Sequence, residues 1–293
     1  MKKISIIIPV YNKVEELRIT IASILNQTLP IADLEIIVAD DGSSEDIKAV
    51  TEEYTNHVLI KYLWQKDDGF RPGAARNMGI YAAEGEVSVF LDCGVILTTN
   101  CLEEHYRLYQ QYGEKLVVLG YIYGCDTYSD LEEIRVIIDG HTPDEAADIM
   151  EENKMLDGRD CEGCYWQVLG DDLTKWPAPW VALWGGHFSA STRFLHDNNI
   201  CFDEHFKTWG CEDNELGIQL ENAGCIFVVG RKARAIHYPA KERSYDILHT
   251  NKTFRNNYKN NRQYIAKKYP NNKTVQIWAA QGDHAANVPQ IVR

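Results

Sequence analysis

Apolar runs alternate with amphipathic stretches along the first hundred residues of the chain. Four of the runs are predicted to be strands, and the segments between them space their apolar residues as helices do. This alternation predicts βαβ units that build a mostly parallel sheet. Because the strand-like runs are apolar on both faces, we expect helices on both sides of that sheet. The predicted strands are ISIIIPV, LEIIVAD, VLIKYLWQ and VSVFLDC, and the predicted helices are 13–26, 45–54 and 74–83.

The pattern becomes less regular in the second half. We interpret 126–172 as an acidic insertion concerned with an acceptor, and expect a loop between the Trp-rich stretch 176–187 and Trp209. The remaining predicted elements are a strand over 116–123, a helix after Thr142, a helix from Trp209 to about Leu220, a strand CIFVVG and a helix over 251–269.

Composition narrows the classes of function. The chain has 293 residues, 45% of them hydrophobic, which suits one α/β domain with a large core. A net charge of −13 disfavours broad contact with nucleic acid or anionic lipid. No stretch reaches the roughly 18 to 20 apolar residues that span a bilayer, and the start lacks a cleavage site. We therefore expect a cytoplasmic protein with no nucleic-acid partner and no transmembrane segment, and with at most peripheral membrane contact.

The eight cysteines are scattered along the chain, which favours reduced thiols over a disulfide framework. Cys161 and Cys164 form a C-x-x-C pair of the kind that binds zinc, but no second close pair accompanies it. Zinc binding by this pair is therefore the less favoured interpretation.

Polar clusters follow three of the predicted strands: Pro9–Asn12, Asp40–Ser43 and Asp92–Gly94. The carboxyl ends of parallel strands meet at one edge of the sheet, where α/β proteins bind ligands. Carboxylates held close together need a cation, so Asp92 facing Asp40 and Asp41 predicts a metal or sugar-nucleotide site. The alternative is an aspartate that only caps a turn before glycine.

Asp92 and His237 are candidate ligands for Mn²⁺ or Mg²⁺. Such an ion needs one or two protein carboxylates, with or without a histidine, when it also binds a diphosphate, whose departure it assists as a Lewis acid. His237 follows an apolar strand at a strand-to-loop corner. That place is equally compatible with an ordinary hydrogen-bonded histidine of the core.

Glu212 and Asp213 stand at the predicted start of a helix. The positive end of the helix dipole favours an ionised carboxylate there, and an ionised Asp213 would be able to accept a proton from a hydroxyl. By position alone, helix-start acids without a catalytic role explain the pair as well. In a similar way, Arg76 in the glycine-containing segment 67–77 suits either a phosphate or a strand-end aspartate.

Several co-linear motifs resemble the family 2 glycosyltransferases, in particular the catalytic domains of bacterial chondroitin polymerase. The resemblance covers residues 3 to 240. The motifs that carry it are Ile4–Asn12, Ile36–Ser43, Gln65–Gly79, Phe90–Cys93 and a galactosyltransferase-like signature formed by Gly185–Ser189, Phe202–Glu204 and Trp209–Glu215.

The resemblance implies a GT-A fold and a role for each matching residue. A UDP-sugar would bind the nucleotide half, residues 1–115, and an acceptor the half 116–240, with 241–293 as a helical or lid extension. Asp213 would be the catalytic base beside Glu212, with Asp92 and His237 as ligands of Mn²⁺ or Mg²⁺. The implied nucleotide-sugar residues are Pro9, Tyr11, Asn12, Asp40, Asp41, Arg76, Asn77 and Asp92, and the implied substrate residues are Trp184, Gly186, His187 and Trp209.

Two departures from the family pattern bear on this prediction. The usual Asp-x-Asp is Asp92-Cys93-Gly94 here, so the second acid is missing and we expect weaker or water-mediated metal binding. His187 replaces a frequent asparagine and either alters donor choice or makes an ordinary hydrogen bond. Trp184 and Trp209 fit both sugar stacking and core packing.

The predicted function is inverting transfer of a hexose or N-acetylhexosamine from a UDP-sugar to an acceptor hydroxyl of a saccharide, peptide or small molecule, by a single displacement. The first alternative is a non-catalytic or metal-impaired binder of nucleotide sugars or carbohydrates. The second is a nucleotidyltransferase, which would need a glycine-rich, lysine-bearing loop after the first strand; residues 9–13 offer none.

Overall fold

The protein is described from a computed structural model that covers residues 2–124, 131–152, 173–239 and 251–281. Within these ranges eight strands form one mixed sheet flanked by helices. The strands are β1 (Ile4–Val10), β2 (Leu34–Asp40), β3 (Leu59–Trp64), β4 (Val87–Leu91), β5 (Val95–Leu97), β6 (Leu116–Tyr123), β7 (His187–Ser191) and β8 (Ile226–His237). Their order across the sheet is β3-β2-β1-β4-β7-β6-β8-β5.

Ten α-helices accompany the sheet in the described ranges. They are α1 (Val14–Leu25), α2 (Ile47–Glu53), α3 (Pro72–Ala82), α4 (Cys101–Tyr112), α5 (Leu131–Gly140), α6 (Pro143–Glu152), α7 (Thr192–Asp197), α8 (Glu212–Asn222), α9 (Lys252–Lys268) and α10 (Lys273–Gln281). Short 3₁₀ turns occupy Ile31–Asp33, Leu173–Lys175 and Pro179–Ala182.

The first four strands form the parallel part of the sheet. β1 pairs with β2 on one side and β4 on the other, and β2 pairs with β3. Every residue of β1 and β2 is buried, which explains their continuous apolar sequence. The predicted strands and helices of this region are confirmed to within two residues at each end.

The predicted loop between His187 and Trp209 is wrong over β7 and α7. β7 lies in the middle of the sheet, antiparallel to both β4 and β6. Its sequence, HFSAS, is short and carries small polar residues, so it gives little apolar signal. Its position between two buried strands, and not its own composition, makes it a strand.

β8 is twice as long as the predicted run CIFVVG, because the strand resumes its pairing with β6 after a bulge. Gly230 is opposite Gly120 and Arg234 is opposite Tyr121, so the exposed residues Arg231 and Lys232 lie in the bulge, and Ala233 and Ala235 after them are buried. The far end of β8 pairs with β5, which places Val95 opposite His237. The strand that follows Asp92 is therefore paired with the segment that ends at His237, the predicted metal-binding histidine.

The two C-terminal helices pack on the body of the protein. Trp278 of α10 is fully buried, and its ring meets that of Trp180 edge-on at 5.3 Å. Buried Asn261 of α9 donates a hydrogen bond to the carbonyl oxygen of Gly210 at 2.9 Å. The proposed division at residues 115 and 240 stays a prediction.

Residues 131–152 of the predicted acidic insertion are the helices α5 and α6. The Cys161–Cys164 pair lies outside the described residues. Across the part of the chain that the structure describes, none of the helices combines the length and apolarity that crossing a membrane requires.

Candidate active site

A turn of two glycines stands between Asp92 and Asp213. The backbone N–H of Gly185 donates to Asp213 Oδ2 at 2.9 Å. The carbonyl of Gly186 accepts from the backbone N–H of Asp92 at 3.0 Å, and a Cβ placed on Gly186 would lie 3.4 Å from Asp92 Oδ2. The turn thus brings the end of β4 and the start of α8 to one rim of the sheet.

The guanidinium of Arg76 contacts the acidic side chains at this rim of the sheet. Its guanidinium is 3% exposed, donates to Asp92 Oδ1 at 2.6 Å and lies 3.4 Å from Glu212 Oε1. A third hydrogen bond, 3.2 Å long, runs to the carbonyl of Gly185. Burial lowers the pKa of Arg76, but Asp92, Glu212 and Asp213 outweigh it and raise the pKa above its ordinary value. We call Asp92, Glu212 and Asp213 the Arg76 cluster.

One guanidinium faces three carboxyl groups in this cluster. The resulting imbalance of charge shows in the surroundings of Glu212. Its side chain is buried, and Oε2 has no hydrogen-bond partner. Burial raises the pKa of Glu212, and the nearby charge of Arg76 offsets this only in part. The cluster therefore carries more negative charge than its own cation balances.

Asp213 has the electrostatics of a general base. Burial and the neighbouring charge of Glu212 raise its pKa to about 7, although the N–H groups of Gly185 and Asn214 work in the opposite direction. A base with a pKa near the working pH is both ionised and able to take up a proton. The two backbone hydrogen bonds, 2.9 Å and 2.8 Å long, fix the carboxylate at the start of α8.

Asp92 and His237 fit a divalent cation. Burial raises the pKa of Asp92, but Arg76, His237 and Lys13 outweigh it and hold the pKa below its usual value, so the carboxylate is ionised. Arg76 occupies Oδ1, while Oδ2 faces the Gly185–Gly186 turn. His237 Nδ1 lies 2.9 Å from the carbonyl of Tyr238, which places the proton on Nδ1 and would leave Nε2 as the atom that can bind a metal. One carboxylate and one imidazole, completed by diphosphate oxygens, suit Mn²⁺.

Gly94 cannot be replaced by the missing second acid without strain. Its φ is +105°, outside the range that an L side chain adopts readily. The turn lets the carbonyl of Gly94 accept from the N–H of Tyr238 at 2.8 Å, next to His237. The glycine that replaces the second acid of Asp-x-Asp is therefore part of the connection between β5 and the end of β8.

The acids after β2 behave differently. Asp40 accepts hydrogen bonds from the N–H of Ser43 at 2.8 Å and from the hydroxyl of Tyr62 at 2.7 Å. Asp41 accepts from the amide of Gln65 at 2.6 Å and from the backbone and guanidinium of Arg71 at 2.8 Å and 3.1 Å. We call Asp40 and Asp41 the β2 pair. Its carboxylates hold together the turn 40–43 and the segment 65–71.

The segment after β1 completes this side of the rim. Tyr11 is exposed and its hydroxyl donates to Asp67 at 3.0 Å. Asn12 has a left-handed backbone, and its side-chain oxygen accepts from the N–H groups of Ser44 and Glu45. Pro9 is buried inside β1. Tyr11 therefore offers an accessible ring, and Asn12 positions the turn.

Asn77 is committed to the fold of the second half. Its buried amide donates to the carbonyl of Phe202 at 2.9 Å and to Glu204 at 3.1 Å, and its oxygen accepts from the N–H of Phe202 at 2.8 Å. These bonds attach α3 to the segment that precedes α8. The expectation that Asn77 borders a nucleotide remains a prediction.

The expected substrate residues separate in space. The imidazole of His187 is 3% exposed and lies 2.9 Å from His105 and 3.5 Å from the thiol of Cys101, an interior position that agrees with the hydrogen-bonding alternative. Trp209 stacks on Phe254 of α9 at 4.7 Å. Gly186 lies against Asp92, and Trp184, half-buried, precedes the glycine turn.

Sequence reasoning missed Lys13 and gave Gln65 no role of its own. Lys13 contributes positive charge near Asp92, and its ammonium lies 3.4 Å from the carbonyl of Cys93. The available signal was its place directly after the β1 segment, beside Asn12. Arg71 lies in the segment 67–77, whose two arginines suit a phosphate or the acidic rim, and the fold shows that Arg71 and Gln65 both contact Asp41.

Residues 5–133 match the sequence model described as Glycosyl transferase family 2. These residues form a domain of that family. Validoxylamine A glucosyltransferase of Streptomyces hygroscopicus subsp. jinggangensis is 30% identical over 244 residues, 83% of this chain and 57% of the relative. Chondroitin synthase of Escherichia coli is 33% identical over 260 residues, 83% of this chain and 36% of the relative. The chain thus spans about half or less of the length of these two relatives.

Solved structures support the fold. Staphylococcus aureus TarS 1–349 in complex with UDP-GlcNAc has a TM-score of 0.62 at 17% identity, over 95% of this chain and 71% of that one. The mannosyltransferase PcManGT of Pyrobaculum calidifontis, with GDP-Man and Mn²⁺, has a TM-score of 0.62 at 14% identity, over 99% and 74%. The predicted GT-A fold and the predicted kinship with family 2 glycosyltransferases are confirmed.

Proposed function

We propose that the chain is an inverting glycosyltransferase that moves a hexose or N-acetylhexosamine from a UDP-sugar to an acceptor hydroxyl. The observation that carries the proposal is the Gly185–Gly186 turn, which sets the carboxyl groups of Asp92 and Asp213 on either side of one short segment. A metal-side carboxylate and a base at this spacing match a single displacement, in which the attacking and leaving oxygens lie on opposite sides of the sugar carbon.

Asp213 accepts the proton of the acceptor hydroxyl as that oxygen attacks the anomeric carbon. Glu212 keeps the pKa of Asp213 close to neutrality, so that proton uptake is favourable. Asp92 and His237 would hold Mn²⁺ or Mg²⁺. When bound, the ion neutralises negative charge on the departing diphosphate as a Lewis acid. Arg76 keeps the carboxyl groups in place beneath the reacting centre.

Residues around the β2 pair and Tyr11 would bind the uridine. Tyr11 presents a half-exposed aromatic face beside a polar turn, which suits stacking on a base. The TarS complex contains UDP-GlcNAc and the PcManGT complex contains GDP-Man at the same TM-score of 0.62, so this fold accepts either nucleotide. A donor panel that includes GDP-mannose tests this choice.

The experiment measures nucleotide release from UDP-sugars with Mn²⁺, with and without saccharide acceptors, for the wild type, Asp213→Asn and Asp92→Ala. We expect Asp213→Asn to lower kcat/KM by about 10²- to 10⁴-fold with donor binding retained. Asp92→Ala is expected to lose its response to Mn²⁺. Asp197→Asn makes the same chemical change at an exposed residue of α7 and serves as the control.

Full activity in both site variants would refute the mechanism. The presence of Gly94 in place of a second acid favours the alternative of a metal-impaired binder. This alternative predicts that UDP binds but that the donor is not hydrolysed, even slowly. Calorimetric titration with UDP in the same samples separates these outcomes, because binding is measured independently of turnover.

A further inference from the structure

A cysteine and two histidines converge in the interior, away from the Arg76 cluster. Cys101 and His105 stand four residues apart on α4 and therefore share one face of that helix. His187 is the first residue of β7. Their exposed fractions are 0%, 0% and 3%, so all three polar side chains lie inside the protein.

The ligand atoms of the three side chains surround one point. His105 Nε2 lies 2.9 Å from His187 Nε2, Cys101 Sγ lies 3.5 Å from His187 Nε2, and all three atoms are within 4.8 Å of one another. Zn²⁺ binds nitrogen at about 2.0–2.1 Å and thiolate at about 2.3 Å, so tetrahedral ligand atoms stand roughly 3.3–3.7 Å apart. The imidazole pair has to separate by a few tenths of an ångström, and Cys101 Sγ and His105 Nε2 lie within the 4.8 Å that bounds the cluster.

The surroundings orient the histidines. The hydroxyl of Ser189 lies 2.8 Å from His105 Nδ1, an outer hydrogen bond of the kind that fixes the tautomer of a metal-binding histidine. The ring of His187 packs directly on Gly120, where an added Cβ would lie 2.3 Å from it. Both rings are thus held with Nε2 toward the cluster.

The cluster is poorly satisfied by hydrogen bonds alone. His187 Nδ1 is buried without a partner and stays so when an ion binds Nε2, so the case for an ion depends on the Nε2 and Sγ atoms. The thiol of Cys101 competes with His105 for the same nitrogen of His187. Burying three polar groups in an apolar interior lowers the stability of the protein unless each group has a bonding partner. A single ion would bind all three ligand atoms at once.

We propose that Cys101, His105 and His187 bind a Zn²⁺ ion in the interior, distinct from the cation at Asp92. Thiolate and imidazole favour Zn²⁺, whereas Mn²⁺ and Mg²⁺ favour oxygen ligands. As the zinc–sulfur bond forms, Cys101 releases its proton to solvent, and water or hydroxide takes the fourth coordination position. The ion would fix the start of β7 and hence Gly186, which lies against Asp92.

The test measures metal content by inductively coupled plasma mass spectrometry on the full chain, grown with added zinc and dialysed against EDTA. We expect about one Zn²⁺ per wild-type chain and a loss of at least about tenfold in Cys101→Ser and His187→Asn. Cys225→Ser removes a buried thiol elsewhere and is expected to keep its zinc. Equal zinc content in all four proteins would overturn the assignment.

A second measurement does not depend on the folding of any variant. Wild-type protein unfolded in EDTA and refolded with Co²⁺ is expected to show the thiolate-to-cobalt charge-transfer band and the visible bands of a tetrahedral ion. If the refolded wild type binds neither Co²⁺ nor Zn²⁺, the cluster is an ordinary hydrogen-bonded part of the core and the proposal fails. Catalytic response to Mn²⁺ is measured separately and bears only on Asp92.

Discussion

The β2 pair and the Arg76 cluster are both acidic, but their charge is balanced in different ways. Each carboxylate of the β2 pair accepts at least two hydrogen bonds, from Ser43 and Tyr62 or from Gln65 and Arg71. The Arg76 cluster shares one guanidinium among three acids, and an oxygen of Glu212 has no partner. The first arrangement is complete without a ligand, whereas the second gains from an added cation.

This difference separates residues that build a binding surface from residues that act on a substrate. Fully paired carboxylates shape a loop, and in Asp41 the hydrogen bonds and the charge of Arg71 oppose, without cancelling, the rise in pKa that burial causes. Underneutralised carboxylates in a buried place have shifted pKa values and attract cations, which are properties that catalysis uses. Three substitutions test whether the contrast is real.

The largest effect is expected from Arg76→Met. Loss of the guanidinium that contacts Asp92 and Glu212 leaves the buried carboxyl of Glu212 uncompensated, although Lys13 and His237 remain near Asp92, and costs about 3–5 kcal/mol of the free energy of unfolding near neutral pH. In the folded state, the pKa values of these acids then rise above those in the unfolded chain. The folded protein therefore binds more protons than the unfolded chain between about pH 4 and about pH 8, and its free energy of unfolding falls as pH rises through that range. Urea denaturation at several pH values measures both effects.

Arg71→Met is the matched control, because it removes the same charge from the β2 pair. Gln65 and the backbone N–H of Arg71 still satisfy Asp41, so a loss of about 1–2 kcal/mol is expected. The pKa of Asp41 rises because the charge of Arg71 lowers it in the wild type, so stability also falls with rising pH, but for one carboxylate and by less than in Arg76→Met. Equal losses for the two arginine variants would contradict the contrast between the acidic groups.

An intermediate effect is expected from Glu212→Gln on the pH profile of activity. In the wild type, kcat/KM is expected to rise through about pH 7 as Asp213 loses its proton. Removing the negative charge of Glu212 lowers the pKa of Asp213, so the rising limb moves to lower pH by roughly one unit. Glu212→Asp keeps the charge and should leave the limb near its original place.

A shift of that limb to higher pH, or its absence in the wild type, would remove Asp213 from the role of base. Measurement at saturating and at subsaturating acceptor separates the ionisation of the free enzyme from that of the complex.

The smallest effect is expected from Tyr62→Phe, which deletes one donor to Asp40. The other hydrogen bond of this carboxylate remains, so we expect a loss of about 1 kcal/mol in the free energy of unfolding and an unchanged pH profile. Tyr112→Phe, at an exposed position of α4, is the control. A displaced pH profile in Tyr62→Phe would show that the β2 pair is electrostatically coupled to the catalytic acids.

The parallel part of the fold could be predicted because its strands are buried on both faces and its helices are amphipathic. β7 could not, since four of its five residues are small or polar and the run becomes a central strand only through pairing with β4 and β6. In the site, Asp92, His237 and Asp213 were candidates by position, each with a structural alternative, and the family resemblance favoured their functional roles. Arg76 pairs with a strand-end aspartate, one of the two alternatives that its position left open.

The spacing of residues carried no information on which acids would be paired. Asp41 and Asp213 have similar sequence surroundings of glycine, aspartate and polar neighbours, yet the first receives a guanidinium contact and the second receives only backbone N–H groups. Long-range contacts decide this, such as the one between Arg76 and Glu212 across 136 positions of the chain.

The burial of Trp278 has a consequence for synthesis of the protein. Its ring packs on Trp180, whose side chain in turn lies against Gly217 of α8, the helix that begins with Glu212 and Asp213. During translation, α8 would lack one packing surface until residue 278 has emerged from the ribosome, long after the parallel strands are able to pair. In the nascent chain, the strands of the proposed donor side would therefore be paired before the helix that carries the proposed base Asp213 is fully packed.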